Sequence, residues 1–295
     1  MSSENTINGI TWIDLTSPSK DEINQVLAKY DLKVPSETIL DFGMLPQLQV
    51  DSQTYYCVMR FPRLYVDKTR EHRTSFEVDF IIKENIVISI HDIPLFEIKN
   101  VHERAQRNHS HLNTPTSSLS LFGILLTEFY STIRKQLQEI TDQLEVLELD
   151  MFKKYEYRLT ATIAKIAKHL IDIERSLHSS EPVIGRIYHL NKEVGSKNIT
   201  LAVELFYELQ SLLNTNRIIL DELRLTHQSM TANHTTGAIR NLSIITFLTL
   251  PLGVLVDVLS VSSNPLINSH SQFVLYGIGV ITILLILYFR HRKWL

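Results

Sequence analysis

The sequence is short of cysteine, of basic excess and of the motifs from which many active sites are built. It holds one cysteine, Cys57, in 295 residues, so no internal disulfide can form and the chain suits a reducing compartment. Its formal net charge of -3 lacks the basic excess that nucleic-acid binding requires. Neither a P-loop nor a GxGxxG phosphate cradle occurs, and His102-Glu103 has no second histidine four residues after the first, as a zinc-protease helix needs. Nothing resembles a nucleophile paired with a base, so neither an enzyme nor a resident cofactor is expected. Met1 to Asn8 is polar without an apolar core, and no secretory leader is expected. Helix breakers are scarce late in the chain. No proline falls between Pro182 and Pro251, and Gly237 is the only glycine between Leu201 and Leu250.

Charge is also scarce at the C-terminal end. Leu242 to Val261 carries one charged residue, Asp257, and Phe273 to Phe289 carries none. Roughly 17–25 apolar residues suffice for a helix to cross a bilayer. The second stretch is apolar on every face, which suits lipid better than a soluble core. Ser262 to Gln272 between them is short and polar, so the pair reads as a hairpin. Arg240 precedes it and Arg290, Arg292 and Lys293 follow it, while the connecting loop has neither lysine nor arginine. The positive-inside rule then puts both chain ends in the cytoplasm. Tyr288 and Trp294 suit the interfacial belt.

The preceding residues read as mixed α/β, then helical. Ile10 to Leu15, Thr54 to Arg60, Phe76 to Ile82 and Ile86 to Ile90 are strand-like, and Lys83-Glu84-Asn85 turns the last two into a hairpin. Asp21 to Tyr30 is a short helix with acids in its first turn. Asn108 to Ser118 is a linker. Its Asn108-His109-Ser110-His111 string offers metal ligands or simply solvated polar groups. Helices are expected over Ser120 to Phe152, Arg158 to Leu177 and Pro182 to Asn191, with a break at Gly195 to Asn198. One further helix runs from Leu201 into the membrane and ends near Val261, a length of about 90 Å at 1.5 Å per residue. Leu205, Leu209, Leu212, Asn216, Ile219 and Leu223 alternate steps of four and three along it, as a coiled-coil seam does. That seam packs either on the chain's own helices or on another copy, and the polar Asn216 favours the second, because such residues set register.

The first span carries a polar stripe. Thr246, Gly253 and Ser260 are seven apart, and Thr249 and Asp257 lie close to the same face. A carboxylate at the bilayer centre costs roughly 2.5–3.5 kcal/mol unless it meets water or a partner. Asp257 sits one turn from the outer end, so it either snorkels or lines a pore between copies of the helix. A ring of such carboxylates attracts cations.

Together these features resemble the CorA family of divalent-cation transporters over nearly the whole chain. Trp12-Ile13-Asp14-Leu15 with Pro18 resembles the family's first strand and helix start, and Val87-Ile88-Ser89-Ile90-His91 a later strand. Leu144 to Phe152, Arg175-Ser176-Leu177 with Glu181-Pro182-Val183, and Ile239 to Ile245 resemble its helical strings, and Tyr288 to Leu295 its ending. The family's Gly-Met-Asn signature, which binds a hydrated cation at the outer mouth, is replaced here by Ser260-Val261-Ser262.

The expected fold is an α/β cytosolic domain plus a long helical stalk and two C-terminal transmembrane helices. Its divisions are a cytosolic α/β domain over 1–115, a helical hairpin region over 116–200, a stalk helix over 201–241, membrane helices over 242–261 and 273–289 around an outer loop at 262–272, and a basic tail over 290–295. The resemblance implies a homopentamer in the plasma (inner) membrane whose first spans line a pore. Leu242, Thr246, Leu250, Gly253, Asp257 and Ser260 are the candidate lining, with Leu242 and Leu250 as apolar constrictions. Ser262 and Asn264 are candidates for the outer mouth, and Asp257 for a metal contact. Glu204, Glu208, Asp221 and Glu222 are loose candidates for the family's regulatory acids. The expected cargo is Mg²⁺, with Zn²⁺ or Co²⁺ as alternatives. A non-conducting scaffold or ion sensor and a Zn²⁺ transporter remain open beside a Mg²⁺-type channel.

Overall fold

The computed structural model describes residues 2–34, 39, 45–51, 53–63, 75–106, 115–151, 156–261 and 268–291. The chain divides into two units, Met1–Glu222 and Leu223–Leu295.

The first unit contains a six-stranded sheet. Its strands are β1 (Ser2–Ile7), β2 (Ile10–Thr16), β3 (Gln47–Asp51), β4 (Thr54–Pro62), β5 (Ser75–Lys83) and β6 (Ile86–His91), in the spatial order β1-β2-β6-β5-β4-β3. β2 and β6 are parallel and every other pairing is antiparallel. The β5–β6 hairpin closes at Lys83↔Ile86, with Glu84 in the left-handed region at φ 41. Strand alternation sorts the side chains to two faces. Ile13 and Leu15 join Ile88, Ile90, Ile81, Tyr56 and Val58 in a core with Ile23 and Leu27 of helix α1 (Lys20–Lys29). A capping box starts α1: Ser19 accepts from the Glu22 amide and Glu22 accepts from the Ser19 amide.

The other face takes the aromatic residues of helix α3 (Ser118–Met151). Phe61 stacks on Phe129 at 4.2 Å, and Phe80 meets Phe122 edge-on at 5.1 Å. Such pairs add about 0.5–1.5 kcal/mol to their burial. Helix α2 (Phe96–Gln106) packs on α3, where Arg104 and Asn100 both reach the Glu128 carboxylate. Farther along α3, Ile133, Leu137, Ile140, Leu144 and Leu147 form one buried stripe at steps of three and four.

Two helices complete the chain before the last segment: α4 (Glu156–Val194) and α5 (Lys197–Val261). Gly195, at φ +69, makes the turn between them, and Asn191 braces it by accepting from the Ser196 amide and donating to Thr200. Helix α6 (Asn268–His291) follows.

Three expectations change. Residues 2–7 form strand β1, and β3 and α2 were likewise unread: short polar segments gain their regularity from a neighbouring strand or helix. The expected helices over 158–177 and 182–191 are one helix, α4, with Pro182 inside it. Pro182 lies on the exposed side, as does His178 one turn before it, so water can hydrate the carbonyl that the missing amide leaves behind. The expected seam faces inward. Leu205, Leu209 and Leu223 are buried, and Asn216, 0% exposed, donates to the Leu137 carbonyl at 2.8 Å and accepts from Thr141 at 2.9 Å. Its register role is played against α3 of the same chain, because a buried amide settles where its polar atoms are met.

Candidate functional site

The candidate lining falls on α5. Counted from Leu242 at 100° per residue, Thr246, Leu250, Gly253, Asp257 and Ser260 lie within a sector of about 80°. Within the second unit the sector's described side chains are open: Leu242 is 65% exposed and Leu250 62%, and nothing lies within 4 Å of a Cβ built on Gly253. The opposite side holds Ile244, which is buried, and Leu248 and Pro251, which are half-buried. Leu242, Thr246, Leu250, Gly253 and Asp257 are thus exposed along one sector of α5, as are Ile245, Phe247 and Val254 beside it, while Ile244 is buried on the opposite side.

Local chemistry within the strip favours acceptors. The Thr246 hydroxyl donates to the Leu242 carbonyl at 2.9 Å and the Thr249 hydroxyl to the Ile245 carbonyl at 2.7 Å. Each hydroxyl has one proton, which is committed to the backbone, so its remaining lone pairs point away from the helix. The same strip continues toward the start of the second unit. Leu225, Ala232 and Ile239 precede Thr246 at intervals of seven; all three are exposed, Leu225 at 66% and Ile239 at 59%. Sequence reasoning missed these three because the seam beginning at Leu205 drew the heptad onto another face. The interval of seven that joins them to Thr246, Gly253 and Ser260 was the available signal.

Other candidates separate. Ser262, Asn264, His109, His111, Phe152 and the tail at 292–295 lie outside the described residues, as does the Ser260 side chain. The spans read over 242–261 and 273–289 fall on α5 and α6. Among the described residues, no helix is long and apolar enough to cross a membrane, and no group of three metal-ligating side chains occurs. Of the loose regulatory acids, Glu208 pairs with Arg134 of its own chain at 3.0 Å.

A second polar cluster lies on the α3 side of the sheet. Asp14, 7% exposed, accepts from Ser89 at 2.5 Å and contacts His91 Nε2 at 3.0 Å, while Trp12 donates to Ser89 at 3.0 Å. His91 Nδ1 meets the Ile93 carbonyl at 2.5 Å. Serine and histidine both point at the carboxylate and not at each other, so the trio is a buried brace and not a nucleophile with its base. Cys57 is inert by the same logic: it is fully buried, and burial with the nearby Asp79 carboxylate pushes its thiol far above the ordinary range.

The family model described as "CorA-like Mg2+ transporter protein" matches residues 8–291. The cobalt/magnesium transport protein CorA of Thermotoga maritima is 20% identical over 297 residues, 97% of this chain and 83% of that protein. Among solved structures, the CorA magnesium transporter of Methanocaldococcus jannaschii superposes with a TM-score of 0.77 at 19% identity, covering 97% of this chain and 92% of that one. The full-length CmaX protein does so at 0.73 and 14% identity, covering 97% and 89%. At these identities, the structural likeness establishes the fold. The chain belongs to the CorA-like family, whose members are transporters and not enzymes.

Proposed function

We propose that this protein is a membrane channel for divalent cations, assembled from several copies around a pore lined by the exposed strip of α5. The single observation that carries the reading is the strip itself. Leu242, Thr246, Leu250, Gly253, Asp257 and Ser260 share one sector, in which Leu242, Thr246 and Leu250 are exposed. In a closed ring of copies that strip would face the axis. Threonine oxygens and the Asp257 carboxylate would then favour cations, and Leu242 and Leu250 would form narrow apolar rings that gate by dewetting. The flux would follow the electrochemical gradient, without nucleotide chemistry.

The membrane topology is part of the same proposal. Residues 242–261 and 273–289 span the bilayer, both ends of the chain lie in the cytoplasm, and five copies surround the pore. The charge pattern around Arg240 and Arg290 and the family membership support this arrangement. The relatives' names point to Mg²⁺ and Co²⁺ as cargo, with Zn²⁺ as the alternative. Mg²⁺ sheds its water reluctantly. With Ser260-Val261-Ser262 at the family's signature position, hydroxyl and backbone oxygens, with Asn264 nearby, would have to meet the hydrated ion. That substitution also favours a second reading, an assembled but non-conducting scaffold or sensor.

Flux of Mg²⁺, Co²⁺, Zn²⁺ and K⁺ into liposomes, with Asp257→Asn beside the parent protein, tests the proposal. Flux that falls several-fold in the variant, or loses its preference for cations over anions, is the expected result. An unchanged current and reversal potential would remove the carboxylate ring. No flux of any cation through a verified oligomer would select the scaffold.

A further inference from the structure

The edge strand β1 is held by more than its ladder with β2. On its inner side, Asn5 Nδ2 lies 2.6 Å from His102 Nδ1 and Ser3 Oγ lies 3.3 Å from His102 Nε2, so both ring nitrogens of one α2 residue meet the strand. The same imidazole lies flat on Trp12 of β2, with ring centroids 3.7 Å apart and planes 3° from parallel. His102 therefore joins three elements, β1, β2 and α2, at one point. We propose that His102 is a proton-sensitive latch that clamps the edge strand β1 when neutral and releases it when protonated.

The hydrogen bonds define the closed state. An amide Nδ2 can only donate, so with Asn5 in this orientation Nδ1 of His102 is the unprotonated acceptor. The neutral ring then carries its proton on Nε2, where Ser3 Oγ can accept it. A second proton would have to go on Nδ1, facing a donor at 2.6 Å, and the Asn5 bond in this geometry would be lost. Burial opposes that proton and lowers the His102 pKa, while the Asp14 carboxylate beneath Trp12 partly offsets the effect.

Among the described residues, the neighbouring charged groups are engaged elsewhere. Asp14 is engaged by Ser89 and His91. Glu4, next to Asn5 on β1, is bound by Lys29 of α1 and by Tyr30, which caps that helix, on the other side of the strand. On α2 itself, Lys99 and Glu103 lie 3.8 Å apart and Arg104 bonds Glu128.

The sign and size follow from linkage. A histidine with a depressed pKa in the closed state stabilises that state fully above the ordinary value near 6.5. It loses the contribution as pH falls through the closed-state pKa. If the released ring titrates near 6.5, opening becomes up to about tenfold more frequent at pH 5.5 than at pH 8.

Amide hydrogen exchange of residues 2–7 in the full-length protein reads this directly, each rate being divided by the chemical exchange rate at the same pH and compared with central strand β5. The parent protein should open β1 more often at the lower pH, by up to about tenfold, with β5 unchanged. His102→Gln should abolish the pH dependence. Asn5→Asp should reverse it, because a carboxylate on Nδ1 favours the protonated ring. A parent β1 that opens equally at both pH values would overturn the latch. So would an acceleration that persists in His102→Gln, or one that Asn5→Asp leaves intact.

Discussion

Asn216 distinguishes packing within one chain from packing between chains. It is fully buried and satisfied twice by α3, through the Leu137 carbonyl and the Thr141 hydroxyl. Replacing it with alanine removes both bonds and leaves a small void. At about 1 kcal/mol net per bond, with a fraction of that for the void, the cost is about 2–3 kcal/mol. That is a drop of roughly 30- to 150-fold in the ratio of folded to unfolded first unit. For a unit of some two hundred residues it lowers the melting temperature by about 4–12 °C. Thr141→Val should cost about 1 kcal/mol, and the double variant less than the sum, since the two side chains share one bond. Calorimetric melting of the parent, both single variants and the double gives these values. Light scattering or native mass measurement of the same samples gives subunit number, which should not change. A melting temperature that stays put while the subunit number shifts would mean that Asn216 lies between copies, and the intrachain seam would be wrong.

Further outcomes are expected in the same unit. A Cβ on Gly123 would sit 2.6 Å from backbone atoms of Asn198 and Ile199, so Gly123→Ala forces α3 and the start of α5 apart. Backbone cannot move aside as a side chain can, and a loss of at least about 1–3 kcal/mol is expected in a denaturant melt. Gly185→Ala, where nothing lies within 4 Å, is the matched control and should not destabilise. Glu97 on α2 is buried, and desolvation raises its carboxyl pKa, with the Glu128 charge adding to the shift. A raised carboxylate pKa gives stability that is present below the unfolded value and is lost as pH rises through the folded one. Glu97→Gln should therefore melt higher than the parent at pH 7, with the advantage shrinking as pH falls toward the ordinary carboxylate range. An advantage that is constant with pH would show that charge is not its source.

Much of this arrangement was legible because periodicity is local. β2, β4, β5, β6 and α1 were read nearly to their ends, since β-branched and aromatic runs bounded by turn residues carry their own pattern. The single helix from the 201 region to Val261 followed from an absence of breakers, and α5 has that extent from Lys197. The family resemblance, too, rested on strings that keep their order over nearly the whole chain, and the family model matches residues 8–291. β1, β3 and α2 were not legible. SSENTI and QLQVD have no strong propensity and owe their regularity to the strand beside them.

Pattern also cannot say which partner a buried face meets. Asn216 in a heptad reads identically whether α3 or another copy supplies the carbonyl, and only the fold brings Leu137 to it across the 79 residues that separate them. Pro182 is a helix breaker in isolation, yet α4 tolerates it on its exposed side. The sequence by itself determined four of the six strands, the long helix into the 242–261 segment, the family and the heptad spacing from Thr246 to Ser260, because these depend on spacing along one chain. The tertiary structure alone decided which heptad face is consumed internally and which, at Leu225, Ile239 and Leu242, is left uncovered. It also set His102 on Trp12 against β1. Both outcomes depend on contacts between residues far apart in sequence, where burial and hydrogen-bond satisfaction choose among faces that the local pattern leaves equivalent.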